Sequence, residues 1–188
     1  MSLLDAGAAL VDHPSARIEY WPQACDAATA DAWFDALLQQ VPWRSDRRMM
    51  YERDVAVPRL LAHYVLADDA VPAPIRAARE VVARFVAAPF TSVGLNLYRD
   101  GDDSVAMHHD RLAELVPDQP IALLSLGAPR CMTITTQALP RTTQKIELQP
   151  GSLLVMNYAS QLHYLHGIPK TKVPVGPRIS LAFRVRPA

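Results

Sequence analysis

Residues 120–136, Pro-Ile-Ala-Leu-Leu-Ser-Leu-Gly-Ala-Pro-Arg-Cys-Met-Thr-Ile-Thr-Thr, contain two short runs of strand-forming residues with a tight turn between them. The runs are Ala122–Leu126 and Cys131–Thr136, which are rich in aliphatic and β-branched side chains. The intervening Gly127-Ala-Pro has the composition of a turn. This stretch predicts two short β-strands.

The same alternation of short strands and turns continues on both sides, from Phe90 to near the end of the chain. Turn sequences lie at 100–103, 149–151 and 174–177. Many short strands with frequent turns are typical of an antiparallel sandwich or jelly roll, which we expect over residues 90–186. The further predicted strands are Ser92–Tyr98, Lys145–Leu148, Leu153–Met156 and Ile179–Val185.

The residues before Phe90 have helical patterns instead. Asp26 is a plausible N-cap for a first helix, and a second helix is predicted from Val71 to about Ala87. Residues 43–60 are expected to be irregular or a hairpin. Two helices ahead of a strand block should pack on its outside, which gives an α+β fold class. The 188 residues fit a single domain, in which residues 1–42 form an N-terminal extension with a helix.

Composition excludes several classes of protein. Net charge is zero overall, although residues 1–42 hold six acidic residues and one arginine. A dedicated binder of double-stranded DNA would usually be more basic. The two cysteines form no zinc pattern, and no apolar run approaches the ~20 residues of a membrane span. The N-terminal segment does not have the pattern of a basic leader, so we expect a cytoplasmic protein. We also expect a monomer without a membrane partner.

The segment Val105-Ala-Met-His-His-Asp-Arg carries the chemistry. In an extended strand, residues two apart point the same way, so His108 and Asp110 can face one metal while His109 faces elsewhere. A third ligand would come from His163 or His166. Two histidines and one carboxylate on one face of a metal are the arrangement of non-haem iron(II) oxygenases.

The last strand pattern, Arg-Ile-Ser-Leu-Ala-Phe-Arg from residue 178, points to an anion. Arg178 and Arg184 share one face by the period of two, whereas Ile179, Leu181 and Phe183 share the other and are predicted to be core. Two inward arginines are costly unless they meet anions. A dicarboxylate is such an anion, and a guanidinium binds a carboxylate through two hydrogen bonds.

Six ordered segments together resemble the AlkB-like iron(II)/2-oxoglutarate dioxygenases, over roughly residues 43–186. They are Asn96-Leu-Tyr98, Met107-His-His-Asp110, Pro120–Gly127, Gly151–Asn157, Leu165-His166-Gly-Ile-Pro and Arg178–Arg184.

The resemblance implies a double-stranded β-helix and a role for each matching residue. His108, Asp110 and His166 would bind Fe(II); the His-Gly-Ile-Pro context and the spacing to Arg178 favour His166 over His163. Asn96 and Tyr98 would hydrogen-bond 2-oxoglutarate, Arg178 would pair with its distal carboxylate, and Arg184 would lie near its iron-chelating end. O2 would be the second cosubstrate.

The resemblance also implies oxidative demethylation of alkylated nucleic-acid bases, on single strands or flipped bases, with release of formaldehyde. The alternatives are a same-family enzyme acting on a protein or small molecule, and a non-catalytic binding domain. Candidate substrate-binding residues are Tyr64, Arg111 and Leu112. Nucleic-acid repair members usually have acidic residues where Arg111 and Leu112 stand, and Glu114 is the nearest alternative acceptor. The Gly- and Tyr-rich segment expected after Tyr64 is also missing.

A cluster of arginines precedes Tyr64 and could contact phosphates, with aromatic residues among them to stack on bases. Nearby Asp46, Glu52 and Asp54 would neutralise part of its charge. The cluster comprises Arg44, Arg47, Arg48, Arg53 and Arg59 with Trp43 and Tyr51.

Overall fold

The computed structural model describes residues 7–50 and 53–187, without the side chains of residues 47–56. Twelve strands, three helices and one 3₁₀ turn (Leu112–Glu114) lie in this part of the chain. In chain order they are β1 Ala8–Ala9, β2 Ile18–Trp21, α1 Ala27–Gln40, β3 Arg44–Met50, β4 Arg53–Val65, α2 Ala73–Ala83, β5 Ser92–Tyr98, β6 Val105–His108, β7 Ile121–Gly127, β8 Arg130–Thr136, β9 Thr143–Leu148, β10 Leu153–Met156, α3 Ser160–His163, β11 Tyr164–Ile168 and β12 Arg178–Arg184.

The strands form two antiparallel sheets. The larger sheet has the order β1-β2-β10-β7-β12-β5-β4-β3, and the smaller has the order β6-β11-β8-β9. Strands adjacent in sequence often lie in different sheets, as β5 and β6 or β10 and β11 do, which is the crossing pattern of a jelly roll. The predicted fold class is therefore confirmed.

Two apolar layers stabilise this arrangement, and alternate residues of each central strand supply both. On β12, Ile179, Leu181 and Phe183 enter the layer between the larger sheet and the helices. Ala182, on the opposite face, belongs to the layer between the two sheets, as do Met132 and Ile134 of β8. The helices therefore pack on the outside of the larger sheet, as predicted, and leave its inner face for the site.

The first helix begins as predicted, but the second ends earlier. The Asp26 side chain accepts a hydrogen bond from the Thr29 amide at 2.8 Å and so caps α1. Helix α2 ends at Ala83, not near Ala87, because the Arg84 amide turns back to the carbonyls of Val81 and Val82. Neither helix, nor α3, is long and apolar enough to cross a membrane in the part of the chain described here.

Strands β2 and β11 were not predicted from the sequence, and both pair with strands distant in the chain, whereas a hairpin within residues 43–60 was one of the two expectations. β2, from the N-terminal part of the chain, pairs with β10 and so adds a strand to the larger sheet. Residues 44–65 form the β3–β4 hairpin, which pairs with β5 and forms one wall of the site. β11 carries His166 and pairs with β6 and β8.

Candidate active site

His108, Asp110 and His166 come together at the end of the smaller sheet. His108 on β6 lies opposite His166 on β11 in the strand pairing, and their ring centroids are 4.5 Å apart. Asp110 follows two residues after His108, just past the end of β6. One ligand atom from each of the three side chains lies within 4.8 Å of the others. This spacing suits three ligands on one face of a metal ion.

The local contacts leave both histidines ready to donate a lone pair. The Nδ1–H of His108 donates to the Ala106 carbonyl at 2.8 Å, which leaves Nε2 as the free ligand atom. His166 is 6% exposed. Burial, with His108 beside it, lowers the pKa of His166 to about 3, so its ring is neutral at physiological pH.

Arg184 holds the carboxylate of Asp110 through two hydrogen bonds. Its Nε donates to Oδ2 at 2.9 Å and its Nη2 donates to Oδ1 at 3.1 Å. Burial raises the pKa of Asp110, but Arg184 and the two histidines outweigh it, so the net pKa lies below the ordinary value. Asp110 is therefore ionised and oriented, as a metal ligand must be.

Arg178 is a buried cation with unused hydrogen-bonding capacity. It is 1% exposed, and its guanidinium lies 5.2 Å from the centre of the Tyr98 ring. Nη2 donates to Ser125 Oγ at 2.9 Å, whereas Nε and Nη1 have no hydrogen-bond partner among the described residues. Two unpaired donors on a buried guanidinium are costly without an anion. They fit the distal carboxylate of 2-oxoglutarate, which would accept both.

The strand next to Arg178 presents the two other residues predicted to contact 2-oxoglutarate. Asn96 and Tyr98 lie on β5, opposite Ser180 and Arg178 of β12. Asn96 Oδ1 accepts a hydrogen bond from Arg59 Nε at 2.7 Å, so its amide nitrogen remains the donor available to a ligand. Their predicted contacts with 2-oxoglutarate stay predictions, although both side chains line the same cavity as the three metal-ligand candidates.

A cavity of about 1360 Å³ contains these groups, and its lining includes residues of the β3–β4 hairpin and of the segment 109–114. Of the predicted substrate residues, Tyr64 and Arg111 line it, whereas Leu112, half-buried in the 3₁₀ turn, lies outside the described lining. Glu114 does line it, and its two oxygens accept from Arg111 at 3.1 Å and Arg186 at 2.8 Å.

Sequence reasoning missed several residues that support the site. Ser125 orients Arg178, Arg59 orients Asn96, and Gln161 accepts a hydrogen bond from the Asp110 amide. Only Arg59 carried a signal, as part of the arginine cluster. The others are ordinary polar residues whose partners lie about 50 positions away in the sequence.

The remaining candidates are divided between the cavity and other parts of the protein. The His163 ring packs against His13, with centroids 4.1 Å apart, and is not in the three-residue group. Arg44 and Arg59 of the arginine cluster line the cavity, and Trp43 packs against the core under the helices. The side chains of Arg47, Arg48 and Arg53 and all of Tyr51 lie outside the described residues, so their part of the prediction stays a prediction.

Comparison with known proteins agrees with this geometry. The family model described as "2OG-Fe(II) oxygenase superfamily" matches residues 17–184. The chain therefore belongs to the 2-oxoglutarate- and iron(II)-dependent oxygenases. Its relatives include the DNA oxidative demethylase ALKBH2 of Mus musculus, 35% identical over 113 residues, in agreement with the resemblance to the AlkB-like enzymes.

A second relative matches along more of the chain. It is the alpha-ketoglutarate-dependent dioxygenase alkB homolog 3 of Homo sapiens, 29% identical over 187 residues and 89% of this chain. The match to mouse ALKBH2 covers 56% of this chain. The matched parts make up 47% of the mouse protein and 65% of the human one, so the chain spans about half to two thirds of these relatives.

Among solved structures, an oxidoreductase of the 2OG-Fe(II) oxygenase family from Burkholderia pseudomallei aligns with a TM-score of 0.61. The alignment covers 89% of this chain and 84% of that one at 12% identity. This likeness concerns the fold alone, and it supports the jelly roll.

Proposed function

We propose that this protein is an Fe(II)- and 2-oxoglutarate-dependent dioxygenase that demethylates alkylated bases of single-stranded or flipped-out nucleic acid. The observation that carries the proposal is the group His108, Asp110 and His166 in one cavity with the unpaired donors of Arg178. The first group suits iron(II), and the second suits the carboxylate of the cosubstrate.

Bound iron(II), 2-oxoglutarate and O2 together would supply oxidation of a C–H bond, and an oxidised N-methyl group would leave as formaldehyde alongside succinate and carbon dioxide. The chain would contribute three side-chain ligands on one face, leaving the opposite face for cosubstrates. Arg178 would bind one end of 2-oxoglutarate. Arg184 keeps the Asp110 carboxylate ionised and holds its orientation through two hydrogen bonds.

The charge of the cavity wall supports an anionic substrate. Cationic side chains outnumber acidic ones by seven to three among the described lining residues. Arg178 and Arg184 are assigned to cosubstrate and ligand, Arg59 binds Asn96, and Arg111 and Arg186 bind Glu114. Arg44 and Lys170 complete the cationic side chains of the described lining. Such side chains could contact a phosphate backbone. Relatives named as DNA oxidative demethylases point to the same substrate class.

The experiment measures succinate and formaldehyde from the purified protein with Fe(II) and 2-oxoglutarate, with and without a single-stranded oligonucleotide containing N1-methyladenine. The His108→Ala variant is the blank. We expect the oligonucleotide to stimulate succinate formation. Formaldehyde should be released in an amount equal to the additional succinate. Absence of succinate from the wild type under every condition would contradict the oxygenase itself.

A same-family enzyme acting on a protein or small molecule is the second candidate. It is favoured by Glu114, whose carboxylate is already bound by Arg111 and Arg186 instead of facing the cavity unpaired. Succinate formation that depends on His108 but is unaffected by the methylated oligonucleotide would support it over demethylation of nucleic acid. Cytoplasmic location and monomeric state remain predictions from the sequence.

A further inference from the structure

The carboxylate ligand candidate, Asp110, has no strand to hold its main chain. β6 ends at His108, and residues 109–111 belong to no helix or strand. His108 and His166, by contrast, are held by strand pairing on β6 and β11. The position of Asp110 relative to the two histidines therefore depends on individual hydrogen bonds.

One of those bonds comes from Gln161 in α3. Its Oε1 accepts the Asp110 backbone N–H at 2.9 Å, across 51 positions of sequence. The Gln161 side chain is 1% exposed. Its Nε2 donates to Ser160 Oγ at 3.2 Å and approaches Met156 Sδ at 3.7 Å, so the amide is held in one orientation.

Gln161, which binds the Asp110 main chain, is also close in sequence to His166. It lies five residues before His166, in the short helix that leads directly into β11. The Gln137 side chain also donates to the Gln161 carbonyl at 3.1 Å, which ties α3 to the end of β8. The segment formed by α3 and β11 therefore carries both His166 and the Gln161 oxygen that accepts the hydrogen bond from the Asp110 amide.

We propose that Gln161 is a positioning residue for the metal site: it sets the main chain of Asp110 against the strand pair that carries His108 and His166. Arg184 orients the carboxylate, and Gln161 fixes the backbone from which that carboxylate extends. The inference rests on the proposed iron site but not on the substrate. Groups that support metal ligands typically contribute about 10- to 100-fold to metal affinity.

The test compares Mn(II) binding by isothermal titration calorimetry to the full chain carrying Gln161→Met, Leu162→Ala or neither change. Met keeps the length of the side chain without the acceptor. Leu162 lies next to Gln161 in α3 but is 52% exposed, so Leu162→Ala controls for disturbance of α3. We expect about tenfold weaker Mn(II) binding for Gln161→Met, and wild-type binding for Leu162→Ala. The KM for 2-oxoglutarate at saturating metal should not change, because Arg178 and Asn96 are untouched.

Gln161→Asn is a second variant in case Met cannot be accommodated. It keeps the amide but is one methylene too short to reach Asp110, so it should weaken Mn(II) binding equally. Equal Mn(II) affinity in wild type and both Gln161 variants would overturn the inference, as would equal weakening by Leu162→Ala. If the wild type itself does not bind Mn(II), the proposed iron site fails and the inference fails with it.

Discussion

Arg178 combines near-complete burial with a guanidinium that is only partly hydrogen-bonded. Ser125 and the Tyr98 ring stabilise one side of the group, and the other side has two donors without a partner. Burial lowers the pKa of Arg178, because a guanidinium charge is less favourable in an apolar environment than in water. Without a ligand, the folded protein therefore bears the free-energy cost of two unpaired donors on a buried cation.

Replacing Arg178 with Met should weaken 2-oxoglutarate binding about 100-fold or more, because two hydrogen bonds to a carboxylate contribute roughly 1.5–3 kcal/mol each. The ligand-free protein should lose little stability, because an uncompensated buried charge is removed. Calorimetric titration with 2-oxoglutarate in the presence of Mn(II), together with thermal unfolding, measures both effects. Arg141→Met, at an exposed position between β8 and β9, is the control. Unchanged 2-oxoglutarate affinity would remove Arg178 from the site.

Asp103 stabilises the turn between β5 and β6 in a pH-dependent way. Its buried carboxylate accepts three hydrogen bonds of 2.8 Å from the Arg99 backbone and side chain. Burial raises the pKa of Asp103, but the hydrogen bonds from Arg99 outweigh it and hold the pKa below the ordinary value. A carboxyl with a lowered folded pKa stabilises the protein above its unfolded pKa, and this contribution is lost as pH falls through the folded pKa.

Asp103→Asn should therefore lower the free energy of unfolding by about 1–3 kcal/mol at pH 7. The difference from wild type should shrink below a pH of about 3.9, the ordinary pKa of an aspartate. Urea unfolding at pH 7 and pH 3 measures it, with Asp102→Asn, an exposed neighbour, as the control. A difference that is equal at both pH values would show that the charge of Asp103 is not responsible.

At the scale of elements, the pairing of β6 with β11 brings the two histidines together. The register shifts between His166 and Ile168, and Gly167 lies at that irregularity. A Cβ on Gly167 would lie 2.9 Å from the Val105 carbonyl oxygen and 3.1 Å from the Met107 amide nitrogen. Only glycine allows β6 to approach this closely.

Gly167→Ala should separate the strands, lower the stability by about 1–3 kcal/mol and weaken Mn(II) binding. Gly176→Ala is a matched control, because its Cβ would meet nothing nearer than 3.6 Å. Thermal unfolding and Mn(II) titration of both variants distinguish them. If Gly167→Ala binds Mn(II) as the wild type does, β6 can move without disturbing the histidines.

Local patterns predicted some elements well and others poorly. Strands β5 and β10 match the predicted Ser92–Tyr98 and Leu153–Met156 from end to end. Residues of β10 alternate between the two apolar layers, and every second residue of β5 from Val93 to Leu97 enters the layer under the helices. The four residues of β2 have too little pattern of their own, and their strand forms because β10 offers a free edge. Phe85 was predicted in a helix, but it packs against Trp21 beyond the helix end.

At the scale of the whole molecule, Tyr20 joins the N-terminal segment to both sheets. It lies on β2, in the larger sheet, and its hydroxyl donates to the Glu147 carbonyl of β9 at 2.9 Å. The same hydroxyl accepts from the Gln149 amide at 3.1 Å. The N-terminal residues therefore contribute to closing the sandwich at the end of β9.

Tyr20→Phe should lower the free energy of unfolding by about 1–2 kcal/mol, since two hydrogen bonds are lost and the Gln149 amide is left without its partner. Tyr158→Phe is the control, because Tyr158 packs against the same layer and its hydroxyl has no hydrogen bond within the described residues. Equilibrium denaturation measures the difference. Equal effects of both changes would mean that packing, not the two hydrogen bonds, accounts for the loss.

The sequence by itself determined the chemistry of the site: a His-x-Asp segment, a later histidine, and a strand with two arginines on one face and core residues on the other. These are local properties, because a strand repeats every two residues and a metal or a carboxylate selects its ligands by type. Only the tertiary structure decided that His166 pairs with His108, that Arg184 binds Asp110 and that Gln161 holds the Asp110 backbone. Those contacts depend on the register between strands and on a helix end about 50 or more positions away, which no local pattern specifies.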